Sequence, residues 1–206
     1  MKSESIAFGI AGVLFGLIAG WIIGAQQTST RVGPVAAQQS AGSQPADNPS
    51  GGRAAVFDQA KADALKSVAD RDPSNAGPRT ELGNLYFDAE RYSDAIAWYA
   101  EAVKLAPNDP DISTDLGVSY YYTNQPDKAL EQFARSLKID PKHAKTLLNV
   151  GIVKAFGKQD LAGAAEAWQQ VMKLSPDSPE GQAAKRALDS LQGAHPNMTT
   201  PSKQGT

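Results

Sequence analysis

No cysteine occurs anywhere in the chain, which excludes disulfides, thiolate metal sites and thiol nucleophiles together. Histidine is almost as scarce, with only His143 and His195. Two isolated histidines without cysteine make a poor metal site, and His143, which opens a helix after Asp-Pro-Lys, reads as turn chemistry rather than as a catalytic base. Neither charge dominates: 20 basic residues stand against 22 acidic ones, so nothing draws the chain to nucleic acid in general. Phosphate-binding loops, Gly-x-Ser-x-Gly elbows and dinucleotide fingerprints are missing as well. Asp109, Asp111 and Asp115 cluster near one helix start, where aspartate complements the helix dipole. Nothing beside them would tune one as an acid and another as a base. The residues point to no enzyme, no metal and no cofactor.

One long apolar run is present. Residues 6–25, IAFGIAGVLFGLIAGWIIGA, hold no charge over twenty positions, the length a helix needs to cross a bilayer. Lys2 and Glu4 lie in the short tail 1–5 before it, and Trp21 would sit at the aromatic interface. A cleaved signal peptide is the competing reading, but it prefers a more basic start and a shorter apolar core. An uncleaved anchor is therefore expected, N-terminus in. In a bacterial cell that places the remainder in the periplasm, on the inner membrane. Gly12, Gly16, Gly20 and Gly24 line one face of the span, spacing that lets two membrane helices touch backbone to backbone. They suggest self-association or packing on a membrane partner; the plainer reading is that glycine is frequent in membrane helices. Residues 26–53 are rich in Gln, Ser, Ala, Pro and Gly without aromatics. They read as a flexible tether of roughly 25–35 Å root-mean-square span.

Beyond the tether the chain is periodic. Pro73, Pro107, Pro141 and Pro176 stand 34, 34 and 35 residues apart. Between them one pattern recurs. It reads Leu82-Gly83-x-x-Tyr86, Ala95, Tyr99, Ala102, then Leu116-Gly117-x-x-Tyr120, Ala129, Phe133, Ser136, then Val150-Gly151-x-x-Lys154, Ala164, Trp168, Val171. The glycines and alanines let paired helices approach, and the large rings fill the space between one pair and the next. Each proline closes a helix it cannot continue. A helical hairpin cannot bury its apolar faces alone, so stacked pairs are the stable arrangement.

In these residues the chain resembles the tetratricopeptide repeat (TPR) family. The resemblance implies an all-α solenoid of three helical hairpins, repeats at about 76–109, 110–143 and 144–178 within a domain at 54–192. The third copy departs from the pattern, with one extra residue in the Gly157–Gly163 turn and Lys154 where Tyr is usual. The expected helices are Pro78–Ala89, Ser93–Leu105, Asp111–Thr123, Pro126–Ile139, His143–Phe156 and Leu161–Leu174. A capping helix precedes them at 54–70, its stripe formed by Val56, Phe57, Ala60, Ala64, Leu65 and Val68. Another follows at 178–191, with Ser178 as N-cap and Pro179 in the first turn. Residues 193–206 are expected to be a disordered tail.

In such stacks the first helix of each pair lines a concave groove that takes peptide segments. Carried over, the resemblance assigns that face Thr80, Asn84, Phe87 and Asp88, then Asp111, Thr114, Asp115, Val118, Tyr121 and Tyr122, then Lys145, Leu148, Asn149, Ile152 and Phe156. Tyr120 takes the packing position, which leaves Tyr121 and Tyr122 for the groove or its rim. Exposed aromatics are common interface anchors; Phe87 and Phe156 serve equally well as padding between helices. The chaperone-clamp branch of the family grips a terminal carboxylate with Lys and Asn, then Asn, then Lys and Arg. Those places hold Thr80, Asn84, Asp115, Lys145 and Asn149, and Asp115 would repel a carboxylate. The expected role is a membrane-anchored scaffold that recruits a protein segment to a membrane assembly. In layout it is similar to the TPR subunits of cytochrome c maturation and to the single-span TPR accessory of the secretion translocon. The alternative is a structural homo-oligomer.

Overall fold

A computed structural model describes residues 56–195. The span at 6–25 with its glycines, the tether at 26–53 and the tail beyond residue 195 lie outside the described residues. Among the described residues there are eight α-helices and no strand. They are α1 (Gln59–Arg71), α2 (Ala76–Asp88), α3 (Tyr92–Leu105), α4 (Pro110–Tyr122), α5 (Pro126–Ile139), α6 (Ala144–Ile152), α7 (Leu161–Leu174) and α8 (Pro179–Ala194). A π-helical turn, Val153–Gly157, continues α6. None of these helices is long and apolar enough to cross a membrane. Packing runs between neighbours, α2 on α3, α4 on α5 and α6 on α7, with α1 against α2 and α8 against α7.

Short polar side chains start the helices. Asp58, Asn75, Asp109, Asp160 and Ser178 each accept a backbone N–H of the first turn, satisfying a donor that the helix cannot. The caps also correct the expected boundaries. Because Asp58 caps α1, that helix begins at Gln59 and Val56 lies outside it, 95% exposed. Ala60 and Ala64 face solvent, and Ala62 and Ala69 are the buried residues of α1. Phe57 is nonetheless held: its ring lies 4.7 Å from that of Tyr86, and the Arg91 guanidinium sits over both. At the other end α8 runs to Ala194, into the expected tail, where the His195 N–H closes it on the Leu191 carbonyl.

The glycine–ring pairs are tighter than a spacing argument implies. A Cβ at Gly83 or Gly117 would lie 2.5 Å from the ring of Tyr99 or Phe133, and one at Gly151 would overlap the Trp168 indole. All three rings are buried. Each lies against the glycine of its own pair, and Tyr99 and Phe133 also share a core cluster with the next pair, through Ile112 and Leu116 and through Val153. In the first two pairs the residue after the glycine matches the ring's polarity. Asn84 accepts the Tyr99 hydroxyl at 2.6 Å, whereas apolar Val118 follows the glycine that faces Phe133. The Trp168 N–H is satisfied by the Leu148 carbonyl at 3.2 Å.

The turn within each pair contains one left-handed residue, Glu90, Asn124 or Gln159, with φ of 57–58°. The next N–H returns to the helix before it: Arg91 to Tyr86, Gln125 to Tyr120 and Asp160 to Lys154, at 2.8–2.9 Å. The last bond spans one residue more. The extra residue of the third copy is thus absorbed at the end of α6 as the π turn, closed by Lys158 N–H on the Val153 carbonyl, and not in the Gly157–Gly163 segment. Widening a turn inside a helix leaves the next helix in register.

Where the second pair meets the third, three hydroxyls with no solvent exposure come together. Thr146 Oγ1 lies 2.6 Å from Thr114 Oγ1 and 2.7 Å from Ser136 Oγ. Thr114 and Ser136 both donate to the Pro110 carbonyl. His143 Nδ1 is 2.6 Å from Thr146, and His143 Nε2 reaches Asp111 at 3.4 Å. His143 links Asp111 to the hydroxyl cluster.

Candidate functional site

The face built by α2, α4 and α6 separates into an aromatic row and a polar floor. Counting back three residues from each left-handed turn residue gives Phe87, Tyr121 and Phe156, all half-buried. Counting forward from the repeat glycines would misplace Phe156 by one, and the π turn restores it. Around this row Tyr92 stacks on Tyr122 at 4.5 Å, and Phe87 meets both rings edge-on at 5.2 and 5.5 Å. Burial pushes the Tyr121 hydroxyl up to about 12 and raises Tyr122 and Tyr92 as well. These phenols stay neutral donors across the physiological range.

The floor carries the charge. Lys145 reaches Asp115 at 2.8 Å and Asp111 at 3.5 Å. Burial opposes the charge on Lys145, but the two carboxylates outweigh it and raise the amine. Burial raises Asp115, with Lys145 acting against it. The hydrogen bond from His143 leads in holding Asp111 down at about 2, assisted by Lys145 against the effect of burial. On α2, Asp88 stands one turn beyond Asn84 and is half-buried. It has no ion-pair or hydrogen-bond partner for its carboxylate among the described residues. Burial raises its carboxyl, the more distant Lys61 opposes this, and Asp115 adds to it.

Of the fifteen positions expected on this face, the structure brings Asn84, Phe87, Asp88, Asp115, Tyr121, Tyr122, Lys145 and Phe156 to one partly accessible surface, with Thr80 beside them and Asp111 at its exposed edge. Five others lie beneath it and have little or no surface to offer a ligand. Thr114 belongs to the hydroxyl cluster, and Val118 packs in the core with Phe133. Leu148, Asn149 and Ile152 are buried because α6 is flanked by α4, α7 and α8. The Asn149 amide is spent on the Lys145 carbonyl at 2.8 Å. Tyr99 supports the site through its bond to Asn84, and Tyr92 belongs to it but escapes a reading by register. The positions equivalent to Tyr92 hold Pro126 and Leu161, so no repeat signal marks it. Among the described residues no group of three His, Cys, Asp or Glu could hold a metal ion.

The Asp111 contacts make a prediction. A carboxyl lowered from 3.8 to about 2 by folding stabilises the folded state above pH 4, and that contribution is lost as pH falls from about 4 through 2. Its side chain is 61% exposed, so solvent screening keeps the effect under about 1 kcal/mol. Urea midpoints of the wild type and Asp111→Asn should differ at pH 5 and converge at pH 2.

Comparison with known proteins gives the arrangement its relatives. A TPR repeat model matches residues 83–124 and a tetratricopeptide repeat model matches residues 110–143. The chain is 26% identical over 131 residues to Hsp70-Hsp90 organizing protein 2 of Arabidopsis thaliana. That covers 63% of this chain and 23% of the relative, so it spans about a quarter of the relative's length. Among solved structures, the Sgt2 TPR domain from Aspergillus fumigatus superposes with a TM-score of 0.54 at 24% identity, covering 64% of this chain and 88% of that one. MamA gives 0.54 at 21% identity, covering 65% and 81%. The first TPR of Spaghetti (RPAP3), bound to the HSP90 peptide SRMEEVD, gives 0.53 at 24% identity, covering 60% and 94%. These likenesses show the fold, and the two family models mark tetratricopeptide repeats over residues 83–143.

Proposed function

We propose that this tetratricopeptide-repeat chain is a non-enzymatic adaptor that binds an extended protein segment on the face of α2, α4 and α6. We further propose that residues 6–25 anchor it in a bacterial inner membrane with the repeats on the periplasmic side. The bound segment is thereby recruited to a membrane assembly of the cytochrome c maturation or secretion-accessory kind. The observation that carries the binding role is the row of Phe87, Tyr121 and Phe156, one aromatic per pair at the same distance from each turn. Phe87 and Tyr121 pack one side against the core clusters, and all three rings stay only half-buried, which leaves part of each to a ligand. The solved Spaghetti repeat holds a peptide, which supports the same class of ligand here. The anchor rests on twenty uncharged residues and on the polar stretch after them.

Affinity capture from native membranes tests this reading. The intact protein should retain specific partners that an Asn84→Ala/Phe87→Ala/Tyr121→Ala variant loses. Retention of the same partners by both would move binding to another surface. The second reading, a self-assembling structural oligomer, is favoured by the four glycines at 12, 16, 20 and 24. It predicts a mass that rises with protein concentration and falls when those glycines are replaced by leucine.

A further inference from the structure

We infer that the segment bound on the face of α2, α4 and α6 is cationic: it brings a lysine or arginine side chain to Asp88 and accepts, through its backbone, a hydrogen bond from the Asn84 amide. This deepens the proposed adaptor function and rests on it. Three carboxylates line the floor, and their circumstances differ. Asp115 has Lys145 at 2.8 Å, and Asp111 has both Lys145 and His143 within 3.5 Å. Asp88 has neither an ion pair nor a hydrogen bond to its carboxylate among the described residues, and Lys61 on α1 acts on it only at a distance. The one floor lysine is already committed to the other two carboxylates.

The neighbours of Asp88 do not supply the missing partner. The buried Tyr99 hydroxyl lies close enough to feel both Asp88 and Asp115, but it donates its proton to Asn84 Oδ1 at 2.6 Å. That bond also fixes the Asn84 amide. With the carbonyl oxygen occupied, the side-chain N–H groups are what Asn84 can offer a ligand. Asn84 and Asp88 are four residues apart on one helix and so share a face. A backbone carbonyl at the first and a cationic side chain at the second fit one extended segment. An acidic segment would instead meet Asp88 and Asp115 together, and like charges at a docking surface discriminate against the wrong partner. Phe87, next to Asp88, gives an aliphatic lysine or arginine stem an apolar wall to lie against.

The test uses the full-length protein in mild detergent and three fluorescent heptapeptides, identical except for a central Arg, Gln or Glu, read by anisotropy. The Arg peptide is expected to bind about tenfold more tightly than the Gln peptide, with the Glu peptide weakest. Asp88→Asn should reduce the Arg preference to about twofold while leaving the Gln peptide unchanged, and Asp88→Lys should turn the preference toward Glu. Asp63→Asn, an exposed carboxylate on α1, should change nothing. A Glu peptide that binds as well as the Arg peptide, or a preference that survives Asp88→Asn, would overturn the inference. Equal binding of all three peptides, lost in Asn84→Ala, would overturn it and leave the groove reading standing. Binding by none would overturn both.

Discussion

Phe133→Ala is expected to lower the unfolding free energy by about 3–5 kcal/mol, measured as the shift in urea midpoint of the full-length protein. The ring has no solvent exposure, and it fills a space on which Gly117, Ala129 and Val153 converge. None of these can move to close the cavity, because each belongs to a helix held by its own neighbours. The more diagnostic result is the coupling with Gly117. Glycine inside a helix costs roughly 0.5–1 kcal/mol relative to alanine, so Gly117→Ala would be stabilising on propensity alone. In the wild type its Cβ would sit 2.5 Å from the Phe133 ring, and the substitution is expected to destabilise by about 1–3 kcal/mol. In the Phe133→Ala background the ring is gone and only the Ala129 carbonyl stays close, at 3.1 Å, so the cost should fall to about 1 kcal/mol or less. If Gly117→Ala destabilises equally in both backgrounds, the ring is not what requires the glycine.

At the hydroxyl cluster, Thr146→Val is expected to cost about 1–3 kcal/mol, although it keeps the shape of the side chain. Thr146 is the hub for Thr114, Ser136 and His143, and all three hydroxyls are fully buried. Removing the hub leaves polar atoms desolvated with fewer partners, which costs more than a hydrogen bond contributes on average. The same junction one repeat earlier is made differently. There Ala102 and Ile112 stand where Ser136 and Thr146 stand here, both buried in the core. The combined variant Thr114→Val/Ser136→Ala/Thr146→Val should therefore recover most of the loss, to within about 1 kcal/mol of the wild type. A triple variant less stable than Thr146→Val would show that the cluster stabilises through more than mutual satisfaction.

The register of the chain exposes some of this architecture and conceals the rest. Gly83, Gly117 and Gly151 recur against Tyr99, Phe133 and Trp168 because a small residue and a ring must meet once per hairpin, and that need writes itself at a 34-residue period. The matching of Asn84 to Tyr99 and of Val118 to Phe133 is legible only once the ring is known to lie on its own pair's glycine. The turn residues Glu90, Asn124 and Gln159 share one φ, yet Glu and Gln carry no signal for a left-handed backbone. The π turn is concealed for a related reason: an added residue is visible by count, but where the backbone absorbs it is a matter of hydrogen bonding. The polar floor is the least accessible. Lys145 and Asp115 are thirty positions apart, and whether Lys145 serves a ligand or two carboxylates depends on the stacking of α4 beside α6. For the same reason Thr114, Leu148 and Ile152 look like groove residues by register and are covered by the neighbouring helices.

Binding on the face of α2, α4 and α6 can be tested by site-directed photo-crosslinking in the full-length protein. A photoreactive phenylalanine analogue would replace Phe87, Tyr121 or Phe156 in one set of variants. In a second set it would replace Ala97, Glu131 or Glu166, which occupy one register on the exposed side of α3, α5 and α7. If the aromatic row is the docking surface, illumination of native membranes yields one shared adduct from the first set and none from the second. Adducts from the second set alone would contradict this and place the docking surface on the second helices.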